Sequence, residues 1–370
     1  MYLTCLAVLP VMAPAQRPSC SQPRLVEFDV PGPVPANSQT SPYANNDLGE
    51  VVGNYVGASG HPVAFLRAPD GKITSFLAPG AFASTAFAIN DLGVIAGRSH
   101  TSDGVFHAFV RYIDGSFTTF EAPGAGTASG TGTGAWAINL EGATAGAYWD
   151  TSGAQHGFAP WYNGQIEDFD PEGSTYAFVC QSCLNLEGVT TGYYADVNGT
   201  YHGFVRKPDG KITVIDAPGA DLTPGDGNGT FPGGINVLGA ITGSYLDAKD
   251  IYHGFVRTPG GHITQFDVPG AGAVLGSYEG TLPASINALG VIAGYFYDAS
   301  YVAHGFSRSP DGHITPINAP DAGSVLGTGQ GTYPATINLE GAVTGPYYDT
   351  NGNSHGFVWT PPSCADGHDQ

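Results

Sequence analysis

Six histidines recur at matching points along this 370-residue chain, and they are the first residues to ask for chemistry. They stand in short runs: His107-Ala108-Phe109, His156-Gly157-Phe158, His202-Gly203-Phe204, His253-Gly254-Phe255, His304-Gly305-Phe306 and His355-Gly356-Phe357. An imidazole can move protons or ligate a metal near neutral pH. One histidine per repeat, however, spreads such groups around a molecule instead of gathering them. The expectation is one hydrogen-bonded lock per unit, with no catalytic residue assigned.

Acidic turns are the second candidates. Asp196, Asp247 and Asp349 open the stretches Asp-Val-Asn-Gly, Asp-Ala-Lys-Asp and Asp-Thr-Asn-Gly, which echo the start of a calcium loop. They lack the alternating oxygens and the distal bidentate Glu of an EF-hand loop. Asx turns are therefore the first reading and weak calcium binding the alternative; no other cofactor is implied. Cys180 and Cys183 form a C-x-x-C without the βαβ context of a redox site and without a second ligand pair for zinc. A local disulfide that tightens a turn is expected. No G-x-S-x-G, H-E-x-x-H or P-loop is present, and Gly124 to Gly134 lacks the Lys-Ser/Thr of a phosphate cradle. A carboxylate pair assembled from distant segments would leave no linear motif.

The elements that must position these residues are set by a repeat. Asn-x-x-Gly signposts begin at Asn46, Asn90, Asn139, Asn185, Asn236, Asn287 and Asn338, 44 to 51 residues apart. Each asparagine is expected to satisfy backbone groups at a turn. After it come a Gly-rich alternating run, the histidine run, a turn pair such as Asp209-Gly210 or Asp311-Gly312, and a short β-like run closed by Pro. Such turn pairs tolerate φ > 0 and are strong hairpin signals. Four short strands per unit, with no helical period, make the blade of a β-propeller, and seven copies fall within its usual range. The seventh copy stops at Thr360, and its missing strand is found at Leu25 to Gly32, LVEFDVPG, which nearly repeats Gln265 to Gly270. The prediction is an all-β, seven-bladed propeller over 24–360. Leu25–Val30 should complete the last blade beside His355–Thr360, since an unpaired edge is a liability. Cys20 and Cys364 flank that seam and are expected to form a disulfide.

The connections from each fourth strand to the next blade vary most. From Pro79 to Asn90 there are 11 residues, but 18 from Pro218 to Asn236, Pro269 to Asn287 and Pro320 to Asn338. Extra length on one face of a repeat protein is where binding concentrates. The candidate ligand contacts are Asp221, Asp226, Phe231, Tyr278, Glu279, Gln330 and Tyr333, with Trp136 from the third unit.

Composition narrows the classes. Acidic residues outnumber basic ones 32 to 12, a net charge of −20, and no basic stripe exists, which argues against a nucleic-acid partner. Apolar residues at 42% are enough for a packed core despite 55 glycines. Residues 1–15 read as a leader with an Ala13-Pro14-Ala15 cleavage signal but no basic start, 16–23 as a short N-terminal segment and 361–370 as a tail. No other apolar run approaches a membrane span.

The unit resembles the repeat of the HAF family of extracellular bacterial proteins. The likeness is clearest at Ala88 to Gly97 (AINDLGVIAG) and His107 to Arg111 (HAFVR), and it covers about 24–360. Most copies here carry Gly for the family's middle Ala. The resemblance implies an exported bacterial β-propeller and carries no catalytic residues across. The function expected is a non-catalytic binding or scaffold module for a glycan or protein at the cell surface. The alternatives are a polysaccharide lyase or glycoside hydrolase with its site at the channel mouth, and a structural surface or filament subunit.

Overall fold

Each alternating run between glycine turns becomes a strand of four to seven residues, apart from a split inner strand in blade 7 and one of 11 residues in blade 4, and among the described residues no helix interrupts them. The computed structural model describes residues 21–31, 39–160 and 165–363. The leader expected over 1–15, Cys20 and Cys364 lie outside these residues. Blade 5 shows the common plan. Its inner strand Thr230–Ile235 pairs with Ile241–Leu246, that with Tyr252–Arg257, and that with the outer strand Ile263–Phe266, all antiparallel. The same order occurs seven times, so the chain is an all-β propeller.

The seventh blade takes its outer strand from the other end of the chain. Arg24–Phe28 pairs antiparallel with Ser354–Thr360, from Arg24 opposite Thr360 to Phe28 opposite Gly356. Val30 continues past that strand into blade 1 and packs with Val51 and Phe65, against which Phe28 and Val358 also rest. One cluster thus joins the two ends of the sequence.

The phenylalanine of every third strand is the centre of its blade. Phe65, Phe109, Phe158, Phe204, Phe255, Phe306 and Phe357 are all fully buried, each contributing about 2–3 kcal/mol of apolar burial. In blades 3 to 7 the preceding residue is glycine, and in blade 7 the outer strand requires it. A Cβ on Gly356 would lie 2.5 Å from the Phe28 ring.

The seven asparagines do more than close turns. Each Oδ1 accepts the backbone N–H four residues on, at 2.7–3.0 Å. Each Nδ2 then donates to the carbonyl of the next blade's asparagine, at 2.9–3.4 Å, and Asn338 donates to Asn46. Seven bonds therefore run head to tail around one mouth of the central channel.

Candidate functional site

Strand direction divides the functional side chains between two ends. The asparagine ring and the turns between third and fourth strands lie at one end. The Asp-bearing hairpins and the connections between blades lie at the other, the loop end.

Histidine and aspartate meet within single blades at the loop end. Pairing of the third and fourth strands brings each histidine Nδ1 to the carboxylate 14 residues on: His156 to Asp170 and His202 to Asp216 at 2.8 Å, and His253 to Asp267 at 2.9 Å. His107 meets Glu121, and His355 meets Asp29 from the N-terminal segment at 2.9 Å. The position matching these after His304 is Asn318, and His304 keeps Asp298 at 3.1 Å. Five rings also stack on an aromatic neighbour, as His253 does on Tyr245 at 5.1 Å. The Asp267 hydrogen bond holds His253 above its ordinary pKa against the opposing effect of burial. In His156 burial pulls down, but Asp170 and Asp150 outweigh it and the net shift is upward.

The aspartates considered for calcium are engaged in these locks. Asp196, Asp247 and Asp349 each accept two backbone N–H groups of their own turn through Oδ1. The other oxygen faces the blade's histidine, at 3.4 Å between Asp247 and His253. Burial works against Asp349, but the amides of Asn353 and Asn351 hold it down at about 2. Among the described residues no group of three His, Cys, Asp or Glu side chains is arranged to hold a metal.

The long-connection candidates separate into two sets. Asp221 caps its own loop through the Thr223 N–H and hydroxyl. Glu279 and Gln330 are buried, and their side-chain oxygens accept the N–H groups of Val274 and Val325. Tyr278 is exposed in a left-handed conformation, φ 56°, and its N–H donates to the Asp250 carbonyl. Asp226 sits exposed at a loop tip. These five do not converge. Trp136, Phe231 and Tyr333 do, on the walls of one cavity of about 490 Å³ at the loop end of the channel.

That cavity is built by the inner strands. A bulge between Pro42 and Ala44, Ala86 and Ala88, and Ala135 and Ala137 re-aims Tyr43, Phe87 and Trp136. At the same bulge blade 5 has Gly233 and blade 6 has Ala284, which leaves room opposite. The rings form an arc: Tyr43–Phe87 at 5.5 Å, Phe87–Trp136 at 4.2 Å, Trp136–Phe178 at 6.0 Å, and Phe178 through Tyr193 to Phe231 at 5.2 and 5.4 Å. Tyr295 and Tyr333 pack at 4.8 Å on the far side. The Cys180–Cys183 disulfide, with Cα atoms 5.0 Å apart, pins the stretch that carries the wall residues Gln181 and Ser182. Tyr333 also lines an adjoining groove of about 770 Å³ with Tyr297, Tyr348 and Gln330. Burial and the neighbouring Tyr297 push the Tyr333 phenol up, so it stays neutral and donates to the Gly329 carbonyl. A further hollow of about 460 Å³ at the asparagine end is lined by residues such as Pro160, Ile166, Leu186 and Pro208.

Sequence reasoning missed Arg98, which lies on a second strand and not in a loop. Its guanidinium sits 4.6 Å from the Phe106 ring, 5.2 Å from Trp136, 5.8 Å from Trp149 and 6.0 Å from Phe87. His100, on the same strand, packs on Phe106 at 4.6 Å. Burial, then Arg98 and His61, lower its pKa to about 4. The signal available was Gly97-Arg98-Ser99-His100, at a point where other units have neutral residues.

Fold and site together define a β-propeller with one aromatic-walled mouth. No protein-family model matches the sequence, and no curated protein matches it. Among solved structures, puromycin hydrolase is similar with a TM-score of 0.53 and 13% identity, over 90% of this chain and 55% of that one. The chain therefore spans about half the length of that protein. The BP39L lectin from Burkholderia pseudomallei matches with a TM-score of 0.48 and 12% identity, over 89% of this chain and 99% of the lectin. The Aleuria aurantia lectin matches at 0.41 and 12%, over 92% and 100%. At these identities the likeness is one of fold.

Proposed function

We propose that the protein is an exported binding propeller that holds a glycan at the loop-end mouth of its channel. The observation that carries this reading is the aromatic arc around the cavity of about 490 Å³. Sugar rings present C–H faces that lie on aromatic rings, while their hydroxyls need a few polar edges. A concave, largely apolar site with sparse polar groups is the usual form of a small-ligand pocket, and its volume suits one or two sugar rings. Gln181, Ser182 and Ser244 supply polar edges on the wall. The buried Trp136 Nε1–H has no protein partner. Export is supported by the Cys180–Cys183 disulfide, since such bridges persist in oxidising compartments, and by the leader-like start. The resemblance to the HAF repeat points the same way.

The experiment is a polysaccharide and oligosaccharide panel scored for binding and for product release. Trp136→Ala should weaken a positive by about thirtyfold, as loss of a binding hot spot does, whereas Asp226→Ala should leave it unchanged. Binding that survives Trp136→Ala sinks the assignment of the cavity. A second reading as a lyase or hydrolase is favoured by the departure of Arg98 and His100 from blade symmetry, and release of shortened products would select it. Self-association with no ligand in the panel would select a structural subunit instead.

A further inference from the structure

Beside Trp136 on the wall of the mouth lies a cation that no other blade repeats. In the residue after the second-strand glycine, Arg98 is matched by Asn54, Ala147, Tyr193, Ser244, Tyr295 and Pro346. Ser244, Tyr295 and Pro346 line the channel cavity, whereas Asn54, Ala147 and Tyr193 do not, so it is the contact with Trp136 that brings Arg98 to the mouth. Its head lies against Trp136, itself a cavity residue.

What the guanidinium lacks is an acceptor. Arg67, Arg206, Arg257 and Arg308 each donate to a backbone carbonyl, and the buried Arg206 is also paired with Glu167. Among the described residues Arg98 has neither a carboxylate nor a carbonyl, and its Nε and the Trp136 Nε1 are both buried without hydrogen-bond partners. Carboxylates are not scarce in a chain with 32 acidic and 12 basic residues. A half-buried cation left to aromatic faces alone keeps unused donors, and Arg presents them as a planar fork that fits a carboxylate. The net charge of −20 would repel an anion at long range. That repulsion is screened within about 8 Å at physiological ionic strength, so the local fork decides at contact.

We infer that Arg98 receives a carboxylate of the bound saccharide, so that the mouth selects uronic-acid-bearing glycans over neutral ones. The inference rests on the glycan-binding reading and adds the class of ligand. Calorimetric titration with trigalacturonate and with its fully methyl-esterified form compares one sugar chain with and without charge. Wild type should bind the acid at least about tenfold more tightly, the effect of one charge-assisted contact. Arg98→Met should bring the two affinities within about twofold of each other by lowering only that for the acid. Arg98→Lys, which keeps the charge but not the fork, should keep part of the preference, and it carries the comparison if the Met variant does not fold. Equal affinity for both trimers in wild type, or a preference that persists in Arg98→Met, overturns the inference while the binding mouth stands. If neither trimer binds and neutral glycans do, the inference is again the part that fails. If no glycan of any kind binds, the glycan reading falls and takes the inference with it.

Discussion

His253 shows how a residue type that suggests chemistry is used instead to hold a blade together. Its Nδ1 bonds Asp267, its Nε2 faces Asp247 at 3.4 Å, and its ring lies on Tyr245. Hydrogen bonding to Asp267 raises its pKa in the fold, and His156 is raised as well. A group whose folded pKa lies above its unfolded value stabilises the fold below the unfolded value, and that stability is lost as pH rises through the folded value. Asp247 and Asp349 are shifted the other way, Asp349 to about 2. Their stabilisation is present above the ordinary carboxylate range of about 4 and is lost as pH falls below it. The melting temperature should therefore peak between about pH 4 and 6.5 and decline on both sides. His253→Gln should flatten the alkaline limb in calorimetric scans; a wild-type melting temperature that does not change between slightly acidic and alkaline buffer would contradict this. The six histidines could be read from the sequence because their spacing repeats. Their partners could not, because residues 14 apart become neighbours only after a hairpin folds them together.

At the scale of elements, the asparagine turn and the long connection both serve the seam between blades. Asn287 accepts from the N–H groups of Leu289 and Val291 and donates to the Asn338 carbonyl. Asn287→Ala strips four side-chain bonds from a buried site and leaves their partners unpaired, which costs about 2–3 kcal/mol. Asn287→Asp keeps the acceptors but sets a buried charge against a carbonyl, so it should be no better. Urea denaturation checks both, and an alanine variant within about 0.5 kcal/mol of wild type would remove the ring as a source of stability. The turn was legible in Asn-x-x-Gly. The bond to the next blade was not, since its partner lies 51 residues away and leaves no local pattern. The long connections were legible as extra chain, but not which side chains turn inward. Gly280, at φ 118°, passes so close to blade 5 that a Cβ would lie 2.0 Å from the Tyr252 carbonyl oxygen. Thr281 Oγ1 accepts the Val268 N–H. These residues, with Glu279 and Gln330, bind the connection to the ring, and the open mouth is left to Trp136, Phe231 and Tyr333, with the unanticipated Arg98 against Trp136.

For the molecule as a whole, everything depends on a sheet shared by the two ends of the chain. That seam was visible in the sequence because the fourth strand of the last unit is absent where expected and present, nearly letter for letter, at Leu25 to Gly32. It is fixed by strand pairing, by Phe28 against Phe65 at 6.1 Å and by the Asp29–His355 lock. Just beyond it the Ser21 N–H donates to the Ser363 carbonyl at 2.8 Å, and the Ser363 N–H donates back to the Ser21 hydroxyl at 2.9 Å. Cys20 and Cys364 are the next residues outward on the two segments. The oxidised protein should therefore contain a Cys20–Cys364 bridge beside Cys180–Cys183. Because the closed loop is nearly the whole chain, the chain-entropy picture assigns it about 5–6 kcal/mol. Cys20→Ser should lower the urea midpoint steeply without touching the inner-strand bridge, and a reductant should then have a much smaller further effect. Alkylation and peptide mapping of the protein, purified without reductant, give the direct reading. Free thiols at both positions would show that strand pairing and side-chain locks alone close the ring.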